Sequence, residues 1–227
     1  MRGYAGPPIR RALSQGRARW VKHLPGRVRD RLDLNGGLVD PLRIEIGSGD
    51  FPTRGYVHVD ANRWGRQVEH VSSASALPFA DASAEELLAV HILEHVHASS
   101  VLATLREWRR VLRPGGFAQI HVPDAATVFA AYLDSPPESK WTVMIPIFGM
   151  TSHARLGRPG ALDLERHHAI YDFALLERVL LDAGFDRVED LSDEVTDRHI
   201  EGWRGLDLIP RISLVVRAHA GPPVPRP

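Results

Sequence analysis

The sequence predicts an α/β fold in which helices cover both faces of a mostly parallel sheet. From Leu42 onward, short runs rich in aliphatic and β-branched residues alternate with helical patterns. These runs are LRIEIG, YVHVD, VEHV, ELLAVH and FAQIHVP. Alternating strands and helices form parallel sheets, because each crossover helix returns the chain to the same edge. With 227 residues, 44% of them hydrophobic, the chain can bury such a sheet in one domain.

Residues 1–40 differ from this pattern. They hold nine Arg or Lys residues against three Asp, and RRALSQGRARWVKHL predicts a basic amphipathic helix that ends near Pro25 and Gly26. We expect an N-terminal helical extension over 1–40, a core domain over 41–219 and a flexible tail over 220–227. The total charge is balanced and no basic stripe is interleaved with aromatic residues, so no nucleic-acid partner is expected.

The second half of the core contains several further predicted elements. A helix is expected over about Ser99–Leu112, and Pro114, Gly115 and Gly116 predict a turn over 113–116 before the next strand. A helix over Tyr171–Ala183 and strands over Phe185–Leu191 and Ile212–Ala218 complete the pattern.

Residues 135–170 interrupt the alternation and are predicted to form a lid insertion, called here the lid segment. Its large apolar residues either line a pocket for a substrate or form the apolar underside of the lid; they are Trp141, Met144, Phe148 and Met150.

The composition excludes several classes of protein. The sequence has no cysteine, which rules out disulfides, thiolate metal sites and cysteine nucleophiles. No apolar run approaches the ~20 residues of a membrane span, and no apolar stretch follows the basic N-terminus as in a signal peptide. We therefore expect a cytoplasmic protein with no membrane span.

The segment with the clearest chemistry runs from Arg43 to Asp60. A strand leads into a Gly-x-Gly turn at Gly47 and Gly49, where the backbone can approach a ligand, and Asp60 ends the next strand. An acidic side chain there can accept hydrogen bonds from two ribose hydroxyls. The third glycine of the dinucleotide fingerprint is replaced by Pro52 and the P-loop lysine is missing, which disfavours NAD and ATP.

Five motifs in order resemble the class I S-adenosylmethionine (SAM)-dependent methyltransferases, in particular the small, methyltransferase type 11-like branch. They are IEIGSGD (44–50), GYVHVD (55–60), LPFAD (77–81), HILEH (91–95) and RVLRPGGFAQIHVPD (110–124). The resemblance covers about residues 42–218. It implies a Rossmann-like, doubly wound, seven-stranded sheet whose last strand is antiparallel. It also implies SAM as cofactor.

The resemblance further implies which residues contact SAM. The glycines would lie against its methionine part, Glu45 would help place its amino group, Asp60 would hold the ribose, and the loop before Leu77 would border the adenine. Ser73 stands where the family usually has an aspartate, so it offers the adenine a weaker, neutral partner. The implied cofactor residues are Glu45, Gly47, Ser48, Gly49, Asp60, Ala61, Ser73, Ala74, Leu77 and His91.

The link between the first two strands is unusually short. Only about Asp50–Gly55 is available, whereas a parallel crossover usually needs a dozen residues or more, so no helix is expected there. The branch that the chain resembles shortens the same link.

Histidines are the candidates for proton transfer, because an imidazole titrates near neutral pH. His91 should end the fourth strand at the ligand-binding edge, while Glu94 and His95 either fasten that strand to the next helix or take part in catalysis. His97 is expected on the surface. The candidate catalytic residues are His91, His167, His168 and Tyr171. No metal ligands are assigned, although HILEH also matches a zinc-peptidase pattern through His91, Glu94 and His95.

The leading hypothesis is SAM-dependent methyl transfer to an oxygen or nitrogen of a small molecule, such as a sugar or a secondary metabolite of natural product biosynthesis, by a monomer or homodimer. A second hypothesis is a methyltransferase-fold binding or partner subunit without methyl transfer, which Ser73 and the short crossover motivate. The third is a zinc hydrolase built on HILEH.

Overall fold

A computed structural model describes residues 41–49, 52–62, 68–149, 166–195 and 212–222. The predicted N-terminal helix over 1–40 lies outside these residues, as do 150–165 of the lid segment and 223–227 of the tail.

The described residues form one seven-stranded sheet with the order β3-β2-β1-β4-β5-β7-β6. Neighbouring strands from β3 to β5 are parallel, and β7 is antiparallel to both β5 and β6. The predicted mostly parallel sheet with an antiparallel last strand is therefore confirmed. The strands are β1 (Arg43–Ile46), β2 (Val57–Asp60), β3 (His70–Val71), β4 (Ala84–Val90), β5 (Leu112–Pro123), β6 (Arg187–Asp190) and β7 (Ser213–His219).

The central strands are buried on both faces, which explains their nearly continuous apolar sequences. Ile44, Val57 and Leu87 have no exposed surface, and Trp108 is equally buried in the helix that packs against them. Among the polar residues that interrupt this pattern, Glu45 and His58 are also buried and are register partners on β1 and β2. Polar groups at such positions need partners within the protein.

The described helices are α1 (Val101–Val111), α2 (Ala125–Asp134), α3 (Pro137–Val143), α4 (Ile145–Phe148) and α5 (Phe173–Asp182). Short 3₁₀ turns at Leu93–His95 and Ala98–Ser100 precede α1. Helix α2 was not predicted, although Asp124 followed by a helix-forming run is a usable signal. The Asp124 carboxylate accepts hydrogen bonds from the Ala126 amide at 3.1 Å and the Thr127 hydroxyl at 2.6 Å, and so caps the helix.

Two predicted boundaries are wrong. No separate turn follows α1, because β5 begins at Leu112, opposite Ala84, and regular pairing resumes at Phe117 opposite Glu86. Residues 113–116 therefore form an irregularity within β5, not a turn before it. Helix α5 begins at Phe173 because Asp172 is its N-cap, accepting a hydrogen bond from the Leu175 amide at 2.8 Å.

The described part of the lid segment contains α3 and α4, which a small apolar cluster joins to the sheet. Val143 packs there with Val128 and Ile212. Trp141 and Phe148 are exposed, at 78% and 56%, so neither belongs to an apolar underside within the described residues. Met150 lies outside those residues. Among the helices that the structure describes, none is long and apolar enough to cross a membrane.

Candidate functional site

The turn after β1 is shaped by two glycines with left-handed backbone, with φ of +69° at Gly47 and +52° at Gly49. A Cβ on Gly47 would lie 1.9 Å from the Cδ1 atom of Ile92, so packing against the chain after β4 requires a glycine there. A Cβ on Gly49 would meet no atom closer than the Gly47 carbonyl oxygen at 3.8 Å. Among the described residues, none crowds Gly49 at the carboxyl edge of the sheet.

Asp60 connects this turn to the loop after β2. Its Oδ2 accepts from the Gly49 amide at 3.1 Å, and its Oδ1 accepts from the Asn62 amide at 2.9 Å. Each oxygen keeps a further lone pair, which suits two ribose hydroxyls. Ala61 is exposed beside it.

Glu45 is buried below the glycine turn, and its partners are protein groups. Its carboxylate accepts from the Thr53 amide at 2.8 Å and from the Thr53 hydroxyl at 2.7 Å, and it lies 3.2 Å from Nε2 of His58. These contacts secure the short crossover, and residues 52–56 contain no helix, as expected. The contact of Glu45 with the amino group of SAM stays a prediction.

His58 was not considered in the sequence analysis, yet it organises this region. Its Nδ1 lies 3.0 Å from Glu69 Oε2, and its Nε2 lies 2.9 Å from the Thr53 carbonyl oxygen. Burial alone would lower the pKa of His58. The hydrogen bonds to Glu69 and Thr53 and the charges of Glu69 and Glu45 outweigh it and raise the pKa. A polar residue in the middle of an apolar strand, beside Glu45 in register, is the signal that could have identified it.

The loop that would border the adenine is secured by α1. Trp108 donates its indole N–H to the Ala74 carbonyl at 2.9 Å, and the Leu77 amide donates to Glu107 at 2.7 Å. Leu77 itself is buried in the core, whereas Ser73 is exposed and its hydroxyl lies 2.9 Å from that of Ser75.

These features fit a bound SAM. The Ser48 hydroxyl is buried and has no hydrogen-bond partner among the described residues, which leaves it available to a ligand. Together with the free lone pairs of Asp60 and the space beside Gly49, it forms a polar edge where a nucleoside and an amino acid group can bind.

His91 follows β4 with an unusual backbone, at φ +52°. Both ring nitrogens face protein groups: Nδ1 lies 3.0 Å from Glu94 Oε1, and Nε2 lies 3.1 Å from the Ser213 hydroxyl. A non-glycine residue in the left-handed region is strained and is often found at functional sites. The contacts favour a positioning role for His91 over direct proton transfer.

Glu94 is fully buried and only one of its oxygens is paired. Oε1 contacts His91, whereas Oε2 has no hydrogen-bond partner in the described part of the chain. Burial alone would raise the pKa of Glu94. The hydrogen bond with His91 and the charges of His91, His95 and His167 lower it instead, so the group is held as a carboxylate.

The rings of His95 and His167 meet edge to face beside Glu94, with centroids 4.7 Å apart. The Nδ1 atoms lie 3.2 Å from the Arg166 carbonyl oxygen in His95 and 2.7 Å from the Pro146 carbonyl oxygen in His167. A carbonyl only accepts, so both Nδ1 atoms carry hydrogen, and Nε2 is the atom of each ring that could offer a lone pair. Burial, the largest effect, lowers the pKa of His167 and favours its neutral form.

Tyr171 and His168 complete this region. The Tyr171 hydroxyl is buried without a partner among the described residues, and burial and then the charge of Glu94 raise its pKa, so it remains a donor. The His168 amide donates to the Glu94 carbonyl at 2.7 Å, while its ring lies 5.5 Å from that of His97, which is exposed as expected.

The structure thus brings the predicted residues together in two groups. The cofactor edge comprises Gly47, Gly49, Asp60 and the 73–77 loop. The Glu94 cluster comprises His91, Glu94, His95 and His167, with Tyr171 beside them. The pattern His91, Glu94, His95 does not form a metal-ligand set, because His91 bonds to Glu94 and His167 takes its place.

Comparison with known proteins gives one family-model match. The family model described as "Methyltransferase domain" matches residues 56–120, from the start of β2 to the centre of β5. No curated protein matches the chain.

Several solved structures resemble the chain. A methyltransferase from Haloferax volcanii, in complex with its Trm112 activator, is 14% identical, with 94% of each chain covered and a TM-score of 0.49. A possible histamine N-methyltransferase from Thermotoga maritima is 16% identical, with 93% of this chain and 97% of that chain covered and a TM-score of 0.47. The citrinin polyketide synthase CMeT domain is 17% identical with a TM-score of 0.46; 81% of this chain and 47% of that chain are covered, so this chain spans about half its length.

Three observations agree with the resemblance to class I SAM-dependent methyltransferases. Strands β1, β2 and β5 lie in the ordered motifs. The family model spans β2, which ends at Asp60, and β4, which His91 follows. Strand β7 runs antiparallel between β5 and β6. Residues 56–120 thus match a methyltransferase-domain family, the sheet has the Rossmann-like order that the sequence resemblance implied, and the cofactor that this match indicates is SAM.

Proposed function

We propose that the protein transfers the methyl group of SAM to an oxygen or nitrogen atom of a small molecule, such as a sugar or secondary metabolite. One observation supports the proposal of a small polar molecule as the methyl acceptor. Two buried oxygens, Glu94 Oε2 and the Tyr171 hydroxyl, have no hydrogen-bond partner among the described residues. Unpaired buried polar atoms are costly, so their presence together indicates a site for a polar ligand.

The position of these atoms supports the same proposal. Ile92 packs against Gly47, and Glu94 follows two residues later, so the Glu94 cluster and the cofactor edge share the carboxyl end of the sheet. Ligands of open α/β sheets bind at this end. Glu94 and Tyr171 are 0% and 3% exposed, so a macromolecular surface could not contact them. A small molecule could reach these two side chains more readily.

The chain's own residues would do three things. Asp60 and the glycine turn would hold the cofactor, Tyr171 would donate a hydrogen bond to the acceptor, and the Nε2 atom of His167 would take a proton from a hydroxyl or amine. His91 would position Glu94. When bound, SAM supplies an electrophilic methyl group on a sulfonium, so orientation and exclusion of water account for most of the acceleration.

The proposal is tested by calorimetry with SAM and S-adenosylhomocysteine, followed by transfer of isotopically labelled methyl to a panel of small hydroxyl and amine compounds. Asp60→Ala should weaken SAM binding on the order of a hundredfold, since it removes two hydrogen bonds to a charged acceptor, together roughly 3 kcal/mol. Asp182→Ala is the matched control, because Asp182 pairs with Arg178 on the exposed face of α5.

Circular dichroism must show that both variants are folded, because Asp60 also binds two backbone amides. Absence of nucleoside binding by the unaltered protein contradicts the proposal. Binding of SAM without transfer to any acceptor would favour the alternative of a binding or partner subunit.

A further inference from the structure

The Glu94 cluster contains a set of potential metal ligands that the sequence pattern did not identify. Glu94, His95 and His167 each offer one ligand atom, and these atoms lie within 4.8 Å of one another. Glu94 and His95 are adjacent in the 3₁₀ turn after β4, but His167 comes from the end of the lid segment, more than 70 residues later. The packing of that segment on Glu94, through the His168 and Ala169 amides, brings them together.

The orientation of each group favours coordination. The Nδ1 atoms of His95 and His167 face backbone carbonyl oxygens, which directs both Nε2 lone pairs away from the backbone. Metal-binding histidines are held in the same way, with the second nitrogen donating to a carbonyl or carboxylate. Glu94 is likewise held through Oε1 by His91, and the fully buried Oε2 is left without a partner in the described part of the chain.

We infer that Glu94 Oε2, His95 Nε2 and His167 Nε2 bind one divalent transition-metal ion. Two imidazoles and one carboxylate are a ligand set of catalytic zinc and non-haem iron sites, whereas Mg²⁺ and Ca²⁺ prefer oxygen ligands only. Ligand atoms about 2.1 Å from a tetrahedral zinc are roughly 3.4 Å apart, so modest rotations of the two rings would bring the three ligand atoms to coordination distance. Both rings are partly exposed, so the ion could enter from their side.

Three protein ligands leave at least one coordination position open. On the basis of the proposed function, an oxygen of the methyl acceptor would occupy that position, and the metal would lower the pKa of a bound hydroxyl. His167 would then act as a ligand and would not be the base. Metal binding itself does not depend on this role.

Zinc binding tests the site directly. The full chain, freed of metal by dialysis against a chelator, is titrated with Zn²⁺ by calorimetry, and Co²⁺ is used to report the coordination by visible absorption. We expect one Zn²⁺ per chain and no comparable binding of Mg²⁺. Loss of a residue that supports a metal ligand typically weakens metal binding ~10–100-fold. His95→Asn and His167→Asn each remove a ligand itself, so each should weaken zinc binding by more than that.

The matched control is His97→Asn, a histidine of the same segment outside the set, which should bind zinc as the unaltered protein does. Thermal melts establish that each variant is folded, and His95, being partly exposed, is the variant least expected to disturb the core. Failure of the unaltered protein to bind zinc, or equal binding by all the variants, would overturn the inference.

Affinity for SAM is measured in the same samples and separates this inference from the proposed function. Loss of zinc binding with unchanged SAM affinity is the expected result for the two ligand variants. Methyl transfer that is unaffected by the chelator would overturn the acceptor-binding role, whatever the zinc titration shows.

Discussion

The pair Glu45 and His58 beneath the glycine turn and the Glu94 cluster both contain a buried carboxylate and histidine, but the two carboxylates differ in how completely they are paired. Both oxygens of Glu45 accept hydrogen bonds from the protein. In the Glu94 cluster one carboxylate oxygen and the Tyr171 hydroxyl have no partner among the described residues. Glu45 is therefore paired within the protein, whereas Glu94 has an oxygen that a ligand would pair under the proposed function.

This difference has a physical consequence for mutations. Removing a partner from a satisfied buried network leaves an unpaired charge, which costs folding free energy. Removing a group that was already unpaired costs little stability and instead affects ligand binding. Substitutions in the two regions should therefore separate stability from function.

The largest effect is expected at His58, which lies between Glu45 and Glu69. His58→Leu fills the volume but leaves the buried Glu45 and the partly buried Glu69 without their shared partner, and should lower the free energy of unfolding by about 3 kcal/mol. Urea unfolding followed by circular dichroism measures this value. His97→Asn, at an exposed position where asparagine can also accept from the Ser99 amide, should stay within about 0.5 kcal/mol. Equal effects of the two substitutions would show that the network at His58 is not stabilising.

A smaller effect is expected from pH, because deprotonation removes the charge of His58 but keeps its ring. The folded pKa is raised above the ordinary value of 6.5, so the stabilisation is complete below 6.5 and is lost as pH rises through the folded pKa. The unfolding free energy of the unaltered protein minus that of His58→Gln should therefore fall with rising pH. Groups that titrate equally in both proteins cancel in this difference, and a pH-independent difference would contradict the assignment.

The smallest effect on stability is expected at Tyr171. Tyr171→Phe removes a buried hydroxyl that has no partner in the described residues, and should change the unfolding free energy by less than about 0.5 kcal/mol or increase it, while lowering methyl transfer. Tyr56→Phe is the matched comparison, because the Tyr56 hydroxyl bonds to Glu86, and it should cost about 1–2 kcal/mol. A larger loss at Tyr171 than at Tyr56 would remove the distinction between the regions.

Much of the fold was predictable because its signals are local. Apolar runs located β1, β2, β4 and β5, and the glycines and Asp60 marked where two of these strands end. Boundaries that depend on partners were not predictable. Residues 113–116 resemble a turn in sequence, but pairing of Leu112 with Ala84 extends β5 through them. Helix α2 was missed although its N-cap, Asp124, is a local signal.

The sequence by itself determined the fold class and the positions of the glycine turn and Asp60, because strand periodicity, glycine turns and strand-end acids act within a few residues of one another. Only the tertiary structure decided the partners of the buried ionisable groups. Parallel register places His58 beside Glu45, and the return of the chain after the lid segment brings His167 to Glu94. Such contacts join residues far apart in the chain, and whether a buried carboxylate is satisfied or left open depends on distances that no local pattern contains.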